Sequence, residues 1–517
     1  MTNPTSHFPI LHLFTIVLLL AHCTAVCECA SSSPERPIVY AHYMHCYVLG
    51  GMADRVANDE PPYRDVAVAP DLWPEAEDKD RTWWSARLAP LAKGGLPAVR
   101  EDFELGERAG LDAFGFLMGA RSFIDQFSPG LRLAAQVAQT SKVKLLPDMW
   151  TDFAGLDDNG ERDLGVQVKA FMDKYPGAFL QRDGRYVISL GCPMGYGRTH
   201  GNFVEWDRVK PFFDAWKGPQ GVYIILNTTW NSDDLATGWG NAPNAFGLWT
   251  APHGWHETHG SPDLLISYAA RYGKEISWPV HSTYYGGRKG CESMAEDLGV
   301  SGFCDLWRGA IAHHAAMAEV QTWNDFSEDH AITETNYRGD TMITLNRYFS
   351  DWYHNGAPPA ITVERVFLFH HRQLVNARLT QATILAHNDQ WHNTPTVDYL
   401  NVVTMLRHPA DVSLTDGEHT WTSKAPAGLH EWLVYVPSVR TRAAPDCVAY
   451  DHGDGAAYPR NNSARTVTVA SALSAGIPSA TVSRGGHQVA SVRSRLPLSE
   501  DARWQDLAMV GDMAPDK

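Results

Sequence analysis

The chain has 517 residues, of which 44% are hydrophobic and 20% charged, and its formal net charge is -16 at pH 7. This composition is typical of a globular protein long enough for two or three domains. The negative charge argues against nucleic acid as the main partner, because a phosphate backbone requires clustered cations. The 18 Trp residues are compatible with a sugar-binding cleft, since indole rings stack on sugars, but Trp also fills ordinary cores.

An apolar stretch near the amino terminus, FPILHLFTIVLLLA, covers residues 8–21. It is too short to span a bilayer comfortably, and small residues and Cys follow it. This pattern predicts a signal peptide within residues 1–30 and therefore a secreted or periplasmic protein. A lipid anchor has weak support, because His22 stands before Cys23 where a lipoprotein signal would have a small residue. No other stretch is apolar enough to cross a membrane.

From residue 37 to about residue 326, strand-like runs alternate with helix-like patterns. Eight runs have the length and β-branched or aromatic character of strands: 37–44, 110–119, 142–150, 186–192, 221–230, 245–251, 275–285 and 318–326. Apolar residues recur on one helical face of 163–175, and 303–317 is a second helical pattern. Eight strands with intervening helices predict an α/β fold, a (β/α)8 TIM barrel over residues 37–357. A doubly wound open sheet is the alternative, but no GxGxxG follows the first strand.

The pattern changes after a boundary that contains Pro358 and Pro359. Runs such as YLNVVTML, ADVSLTDG and HEWLVYVPSV then alternate apolar and polar residues between Gly, Asp and Pro turns. This pattern predicts an antiparallel β-sandwich over residues 360–517. We expect it to cover the barrel as an accessory domain, because it contains no cluster of reactive residues.

Active-site residues of a TIM barrel collect at the carboxyl ends of its strands. At or near the predicted strand ends stand polar and aromatic residues that we take as candidates for substrate binding: His42, Tyr43, Asp112, Asp148, Trp150, Trp230, Trp249, Tyr284, Trp323, Asn324 and, just beyond the eighth strand, His330. The aromatic members could stack on sugar rings, and we expect Trp150 and Trp249 to face the cleft. The alternative is that they pack beneath loops.

The eighth strand runs into QTWNDFSEDHAITE, where Asp325 and Glu328 lie three residues apart. Two carboxyl groups in different environments can divide the work of general acid and general base, as glycoside hydrolysis requires. A lone Asp here could simply cap a turn. The adjoining Trp, Asn and His favour catalysis, with Glu328 as the proton donor and Asp325 as the base, or the reverse.

The segment TWNDFSEDHAI resembles TWNDFGESHYI, a motif of glycoside hydrolase family 71, the endo-1,3-α-glucanases or mutanases. VYAHYM resembles that family's first strand, VFAHFM, and ERAGLDAFGFLMG resembles its second, KAAGIDAFALNIG. KVKLLPDMW matches a strand that ends in an FSFDM-like turn. The resemblance implies a barrel followed by a β domain, and a catalytic pair at Asp325 and Glu328 that acts with inversion. Ser327 and Asp329 depart from the family's Gly and Ser, so the reaction class is better supported than the sugar.

These observations predict a hydrolase that acts on an α-1,3-glucan-like polysaccharide or oligosaccharide, as a monomer and without a cofactor. A carbohydrate-binding protein without activity, or an endo-α-mannosidase similar to family 99, are the alternatives. We expect no metal: the body of the chain has no CxxC pair, and His253, His256 and His259 lie in a loop rich in Gly and Pro. Linkage, and endo against exo action, stay open.

Overall fold

Eight parallel strands form a closed barrel in the computed structural model. It describes residues 36–43, 96–119, 128–150, 158–191, 206–228, 239–248, 262–286, 292–295, 297–325, 329–335, 337–379, 386–388, 397–437, 462–502, 507 and 509–514. The chain divides into two compact units, Met1–Pro37 and Ile38–Lys517, and every helix and strand named below belongs to the second. The predicted signal peptide lies outside the described residues.

The first eleven strands build the barrel and its rim. They are β1 (Ile38–Tyr43), β2 (Ala113–Gly119), β3 (Lys144–Trp150), β4 (Gln181–Arg182), β5 (Arg185–Gly191), β6 (Val222–Thr228), β7 (Ala245–Leu248), β8 (Glu275–His281), β9 (Tyr284–Gly286), β10 (Glu292–Ala295) and β11 (Met317–Gln321). The order β3-β2-β1-β11-β8-β7-β6-β5 closes through β3 and β5, and all these pairings are parallel. β4 pairs antiparallel to β5. The eight predicted strands and their closure into a barrel are confirmed.

The helices of the described chain are α1 (Leu96–Ala109), α2 (Ser128–Thr140), α3 (Asp158–Lys174), α4 (Trp206–Val209), α5 (Pro262–Tyr272), α6 (Ser301–Ala312) and α7 (Thr341–Asn355). Short 3-10 helices cover Lys210–Trp216, Pro219–Gly221 and Trp239–Asn241. α1 shows why such segments pack on the sheet. It buries Val99 and Phe103 one turn apart and exposes Arg100 and Glu104, so one stripe faces the barrel.

The remaining strands follow α7 along the chain. They are β12 (Arg365–His371), β13 (Gln373–Leu379), β14 (Ala386–Asn388), β15 (Tyr399–Leu406), β16 (Ala410–Thr415), β17 (Thr420–Ala425), β18 (Gly428–Tyr435), β19 (Arg465–Val469), β20 (Ser479–Arg484), β21 (His487–Arg493), β22 (Ser499–Ala502) and β23 (Met509–Met513). They form a five-stranded sheet, β19-β18-β15-β12-β23, and a four-stranded sheet, β17-β16-β20-β21, while β13 pairs with β22 and β14 with β10.

The two larger sheets are mostly antiparallel, as the alternating sequence pattern predicts; β18 and β19 run parallel. Burial alternates along β16, as expected for a strand with one face against a core. A single apolar cluster joins residues of both sheets, among them Leu368, Val402, Leu414 and Val482. Two mostly antiparallel sheets thus share an apolar core, which supports in part the β-sandwich predicted for residues 360–517.

A buried charge network attaches the five-stranded sheet to the barrel's helix α6. Arg465 on β19 contacts Asp305 of α6 at 2.9 Å and Glu431 of β18 at 3.0 Å. Arg308, also on α6, contacts Glu431 at 2.6 Å. The desolvation cost of burying these charges is offset by several charge-assisted hydrogen bonds. Because such bonds require a defined geometry, they fix how the sheet and α6 meet. Among the helices that the structure describes, none is long and apolar enough to cross a membrane.

Candidate active site

The interior of the barrel changes from apolar to polar toward the carboxyl ends of the strands. An apolar cluster that includes Tyr40, Leu146, Ile225 and Met317 fills the lower interior. Side chains of a strand alternate between its two faces, so the residue two positions further along faces inward as well. These inward positions hold polar residues, all fully buried: His42, Asp148, Asn227 and Glu319. The polar layer therefore stands where TIM barrels place their chemistry.

His42 and Asp148 form the first pair of this layer. Nδ1 of the imidazole lies 2.7 Å from Oδ2 of the carboxylate, and neither side chain is exposed. β1 and β3 supply the two residues and lie on either side of β2. A carboxylate that accepts a ring N–H fixes the orientation of an imidazole, so the position of each group depends on the other.

Glu319 and Asn227 form the second pair. Nδ2 of Asn227 on β6 donates to Oε1 of Glu319 on β11 at 3.2 Å and to Oγ of Ser189 on β5 at 3.1 Å. A Cβ at position 247 would lie 1.8 Å from Oδ1 of Asn227, so the glycine of β7 makes room for this amide. The small Gly247 on β7 therefore allows Asn227 on β6 to hydrogen-bond to Glu319.

Glu319 is the most strongly perturbed carboxyl of the layer. Burial, followed by the charge of Asp148, raises the pKa of Glu319 well above its ordinary value, although Tyr40, Gln321 and Asn227 hydrogen-bond to it. Burial also raises the pKa of the neighbouring Tyr40. A raised pKa favours the protonated form of a buried acid, the form that general acids and neutral hydrogen-bond donors of active sites use.

Asp325 lies in a tight turn beyond β11. Its backbone N–H donates to Oγ1 of Thr322 at 2.9 Å, and its carbonyl accepts from the amide of His330 at 3.2 Å. The amide of Trp323 donates to the carbonyl of His42 at 2.7 Å and thereby continues the pairing of β11 with β1. Asp325 is buried, and its backbone is held by short-range bonds at the end of the eighth barrel strand. This is the location that the sequence predicts for it.

Three rings lie together beside this turn. The imidazole of His330 packs against that of His281 with centroids 4.4 Å apart, and against the phenol of Tyr284 at 4.7 Å. The hydroxyl of Ser282 donates to the carbonyl of His330 at 2.9 Å. Tyr284 is partly exposed, whereas His281 and His330 are buried. The structure thus brings together His330 and Tyr284, two predicted site residues, with His281, which ends β8.

Asp329, the next described carboxylate after Asp325, makes contacts that are structural. Asp329 has a positive φ of 55° and pairs with the fully buried Arg338, whose Nη2 lies 2.9 Å from Oδ1. Its Oδ2 accepts the backbone N–H of Met509 on β23 at 3.0 Å. Asp329 therefore connects the turn after β11 to the last strand of the chain.

Asp112 is a correction to the sequence-based site. It stands one residue before β2 and so at the amino end of that strand, on the opposite side of the barrel from the polar layer. Oδ2 accepts the backbone N–H of Val39 at 2.8 Å and contacts Nε2 of His354 at 2.8 Å. The mistake arises because the apolar run 110–119 does not reveal which of its ends begins the strand.

Tyr43 and Trp323 are also corrected. Tyr43 follows His42 and so faces the helices; its hydroxyl donates to Asp102 of α1 at 2.8 Å. Trp323 is fully buried, and its ring packs against Phe114 with centroids 5.1 Å apart. Both rings belong to the core between sheet and helices rather than to a cleft.

Three predicted site residues lie outside the described residues: Glu328, Trp230 and Trp249. Trp150 ends β3, but its side chain is not described. The loop with His253, His256 and His259 is also outside. Asn324 is described and buried. Of the predicted catalytic pair the structure describes Asp325, and it separately shows the contact between His42 and Asp148.

Sequence reasoning missed Glu319. A signal exists in the sequence, because Glu319, like Asn227, is a polar residue at an inward position of an otherwise apolar strand, MAEVQ and VYIILNT respectively. One ligand atom each of His42, Asp148 and Glu319 lies within 4.8 Å of the others, a spacing that a metal ion or a shared proton could occupy. The 2.7 Å contact between Nδ1 and Oδ2 is already a direct hydrogen bond, which favours the proton.

The family model of glycosyl hydrolase family 71 matches residues 97–439. This match covers more than half of the chain and includes seven of the eight barrel strands, the polar residues Asp148, Asn227 and Glu319, and the turn with Asp325. The chain belongs to glycosyl hydrolase family 71, a family of glycosidases. No curated protein matches the chain.

Solved structures give more distant likenesses. The GH99 endo-alpha-mannosidase from Bacteroides thetaiotaomicron is 15% identical, with a TM-score of 0.37, over 50% of this chain and 85% of that one. A glycoside hydrolase-like protein is 12% identical, with a TM-score of 0.38, over 61% and 94% of the two chains. A glycosyl hydrolase family 2 member from Bacteroides cellulosilyticus is 10% identical, with a TM-score of 0.39, over 79% and 44%.

Proposed function

We propose that the chain hydrolyses α-glucosidic linkages of an α-1,3-glucan-like polysaccharide, with Asp325 and Glu328 as its two reacting carboxyl groups. The observation that supports this most directly is the position of Asp325, held in a tight turn at the carboxyl end of the eighth strand of a family 71 barrel. Reacting groups of TIM barrels stand at this edge, and hydrolysis of a glycoside requires an acid and a base on either side of the bond.

In the proposed reaction Glu328 protonates the leaving glycosidic oxygen while Asp325 accepts a proton from the attacking water; the two roles can also be exchanged. Water attacks the anomeric carbon from the face opposite the leaving group, so the product has the inverted anomeric configuration. Such a site needs carboxyl groups about 6.5–9.5 Å apart, which leaves room for the water.

We assign the binding of sugar to the surrounding strand ends. The partly exposed Tyr284, supported by His330, offers an aromatic face to a sugar ring. Trp150 and Trp249 extend this surface in the proposal, and the pair of His42 and Asp148 forms the floor below it. We also propose that the chain is exported, on the apolar stretch of residues 8–21.

A panel of polysaccharides tests this function. The full-length protein is incubated with α-1,3-glucan, α-1,4-glucan, β-1,3-glucan and α-mannan, and the release of reducing sugar is measured. Release from α-1,3-glucan is expected, with the inverted anomer seen first by proton NMR. Release from α-mannan alone would support an endomannosidase instead, and binding without release from any polysaccharide would support a non-catalytic binding protein. A retained anomer would overturn the inverting mechanism.

A further inference from the structure

Glu319 is a fully buried carboxyl in the middle of a barrel strand and takes no part in the reacting pair proposed above. Its strand is otherwise apolar at this level, with Ala318 and Val320 on either side facing the helices. Keeping a charge there has a large desolvation cost unless a cation or several donors compensate it. Its surroundings therefore decide whether Glu319 is an anion or a neutral acid.

In the part of the barrel that the structure describes, the strands around Glu319 present one neighbouring carboxylate and no lysine or arginine at its level. Among the described residues, β1 contributes Tyr40 and His42, β3 contributes Asp148, and β6 contributes Asn227. The adjacent strand β8 places Pro279 opposite Glu319 in register, with Ser277 one inward position below. The titratable groups that face Glu319 are thus Tyr40, His42 and Asp148, and His42 alone among them can become a cation.

His42 is already engaged with the other carboxyl. Its Nδ1 lies 2.7 Å from Oδ2 of Asp148, which makes Asp148 the better stabilised anion of the two. Glu319 instead has neutral hydrogen-bond partners, the amide of Asn227 at 3.2 Å and the side chains of Tyr40 and Gln321. Two adjacent buried carboxyl groups cannot both ionise without strong repulsion, so one of them keeps a proton. The hydrogen-bond partners assign that proton to Glu319.

We infer that Glu319 is a positioning residue that stays protonated in the active enzyme and, anchored by Asn227, keeps the His42–Asp148 pair in place beneath the cleft. This inference rests on the glycosidase activity proposed above. Glu319 acts through its neighbours: the carbonyl of His42 accepts the amide of Trp323, two residues before Asp325. An ionised Glu319 would repel Asp148 of β3, and His42 of β1 would move with Asp148 because the two are hydrogen-bonded. The bond between His42 and Trp323 would then pass this movement to the turn that carries Asp325.

Replacement of Glu319 by Gln distinguishes a neutral positioning residue from one that must be an ionised carboxylate. The amide side chain has the same size and is neutral, so it imitates the protonated acid, while Glu319→Ala removes the group entirely. We expect Glu319→Gln to keep most of the wild-type kcat, and Glu319→Ala to lower kcat about 100-fold, as expected when reacting groups are misplaced by about 1 Å. Glu364→Gln is the matched control and should leave kcat unchanged, because Glu364 stands just before β12 and pairs with Arg484 of β20.

The pH profile distinguishes positioning by a proton from simple packing. Wild-type kcat should fall at alkaline pH as Glu319 loses its proton, and in Glu319→Gln this fall should move to higher pH because the titrating group is gone. A packing role alone would leave the profile unmoved, and that result would overturn the inference. Equal loss of kcat in the Gln and Ala variants would also overturn it, because an ionised carboxylate would then be needed.

The infrared difference spectrum between the wild type and Glu319→Gln, recorded without substrate, tests whether Glu319 carries a proton. A C=O stretch of a buried carboxylic acid is expected in the wild type and should be absent in Glu319→Gln; its absence from the wild type would refute the inference. Titration with Mn2+, Zn2+ or Ca2+ supplies the remaining outcome, since tight binding lost in Glu319→Gln would make the cluster a cation site instead. If no polysaccharide is cleaved, the proposed function fails, but the infrared result still decides the state of Glu319.

Discussion

The side-chain amide of Asn227 crosses the barrel interior and donates a hydrogen bond to the carboxyl of Glu319, 3.2 Å away. The two residues come from β6 and β11, which are separated by β7 and β8 in the closed sheet. Their contact depends on Gly247, because any larger residue there would collide with the amide. Two strands distant in sequence are thus joined directly beneath the proposed site.

The ionisation of Glu319 predicts an unusual pH dependence of stability. Because its pKa is raised in the folded state, the folded chain holds a proton that the unfolded chain loses above about pH 4.3, the ordinary pKa of Glu. The stabilising contribution is therefore complete below that pH and is lost as the pH rises through the folded pKa. Relative to Glu319→Gln, the wild type should lose about 1.4 kcal/mol of unfolding free energy per pH unit in this window.

Urea unfolding of both proteins at a series of pH values measures this difference. Glu364 supplies a control of opposite sign, because the hydrogen bond from Arg484 lowers the pKa of Glu364 to about 2. Its contribution is present above the unfolded pKa and is lost as the pH falls toward 2, so the wild type should be more stable than Glu364→Gln near neutral pH, and this difference should shrink as the pH falls from about 4 toward 2. Parallel curves for the wild type and Glu319→Gln above pH 5 would contradict a raised pKa at Glu319.

Asp329 should matter for stability. Its carboxylate is paired with the buried guanidinium of Arg338 and accepts the amide of Met509. Asp329→Asn leaves a buried cation without its partner, which typically costs about 3–5 kcal/mol. Chemical denaturation of this variant beside Asp325→Asn checks the expectation. A larger loss of stability in Asp325→Asn would reverse the roles assigned to the two residues.

The tryptophans should divide into core and cleft. Trp323 is fully buried against Phe114, so Trp323→Ala is expected to destabilise the fold by about 3–5 kcal/mol. Trp150→Ala and Trp249→Ala are expected instead to weaken oligosaccharide affinity with little change in Tm. Calorimetry for binding and for melting separates the two effects, and unchanged affinity in both of the latter variants would remove the stacking proposal.

The sequence predicts the barrel well because each of its strands is a short apolar run that is distinct from the helical patterns between them. It predicts side-chain direction less well. His42 and Tyr43 are adjacent, and both look like strand-end residues, but alternation sends one inward and the other toward Asp102. The inward face becomes identifiable only when the start of the strand is known, as Asp112 also illustrates.

Glu319 was missed for a related reason. Within MAEVQ it resembles a solvent-exposed residue of an edge strand, and only closure of the barrel shows that both faces of this strand are buried. Its partner Asn227 is 92 residues away, and no local pattern links the two. Contacts between strands distant in sequence depend on register and closure, which composition and periodicity do not specify.

The rate of α-1,3-glucan hydrolysis by Asp325→Asn and Glu328→Gln, compared with the wild type, tests the proposed function most directly. Either amide removes a proton-transfer group while keeping its size, so each variant should lose about 100- to 10,000-fold in kcat. Circular dichroism and Tm should stay close to those of the wild type, which separates lost chemistry from lost folding. Near-native turnover in either folded variant would show that the replaced residue does not belong to the reacting pair.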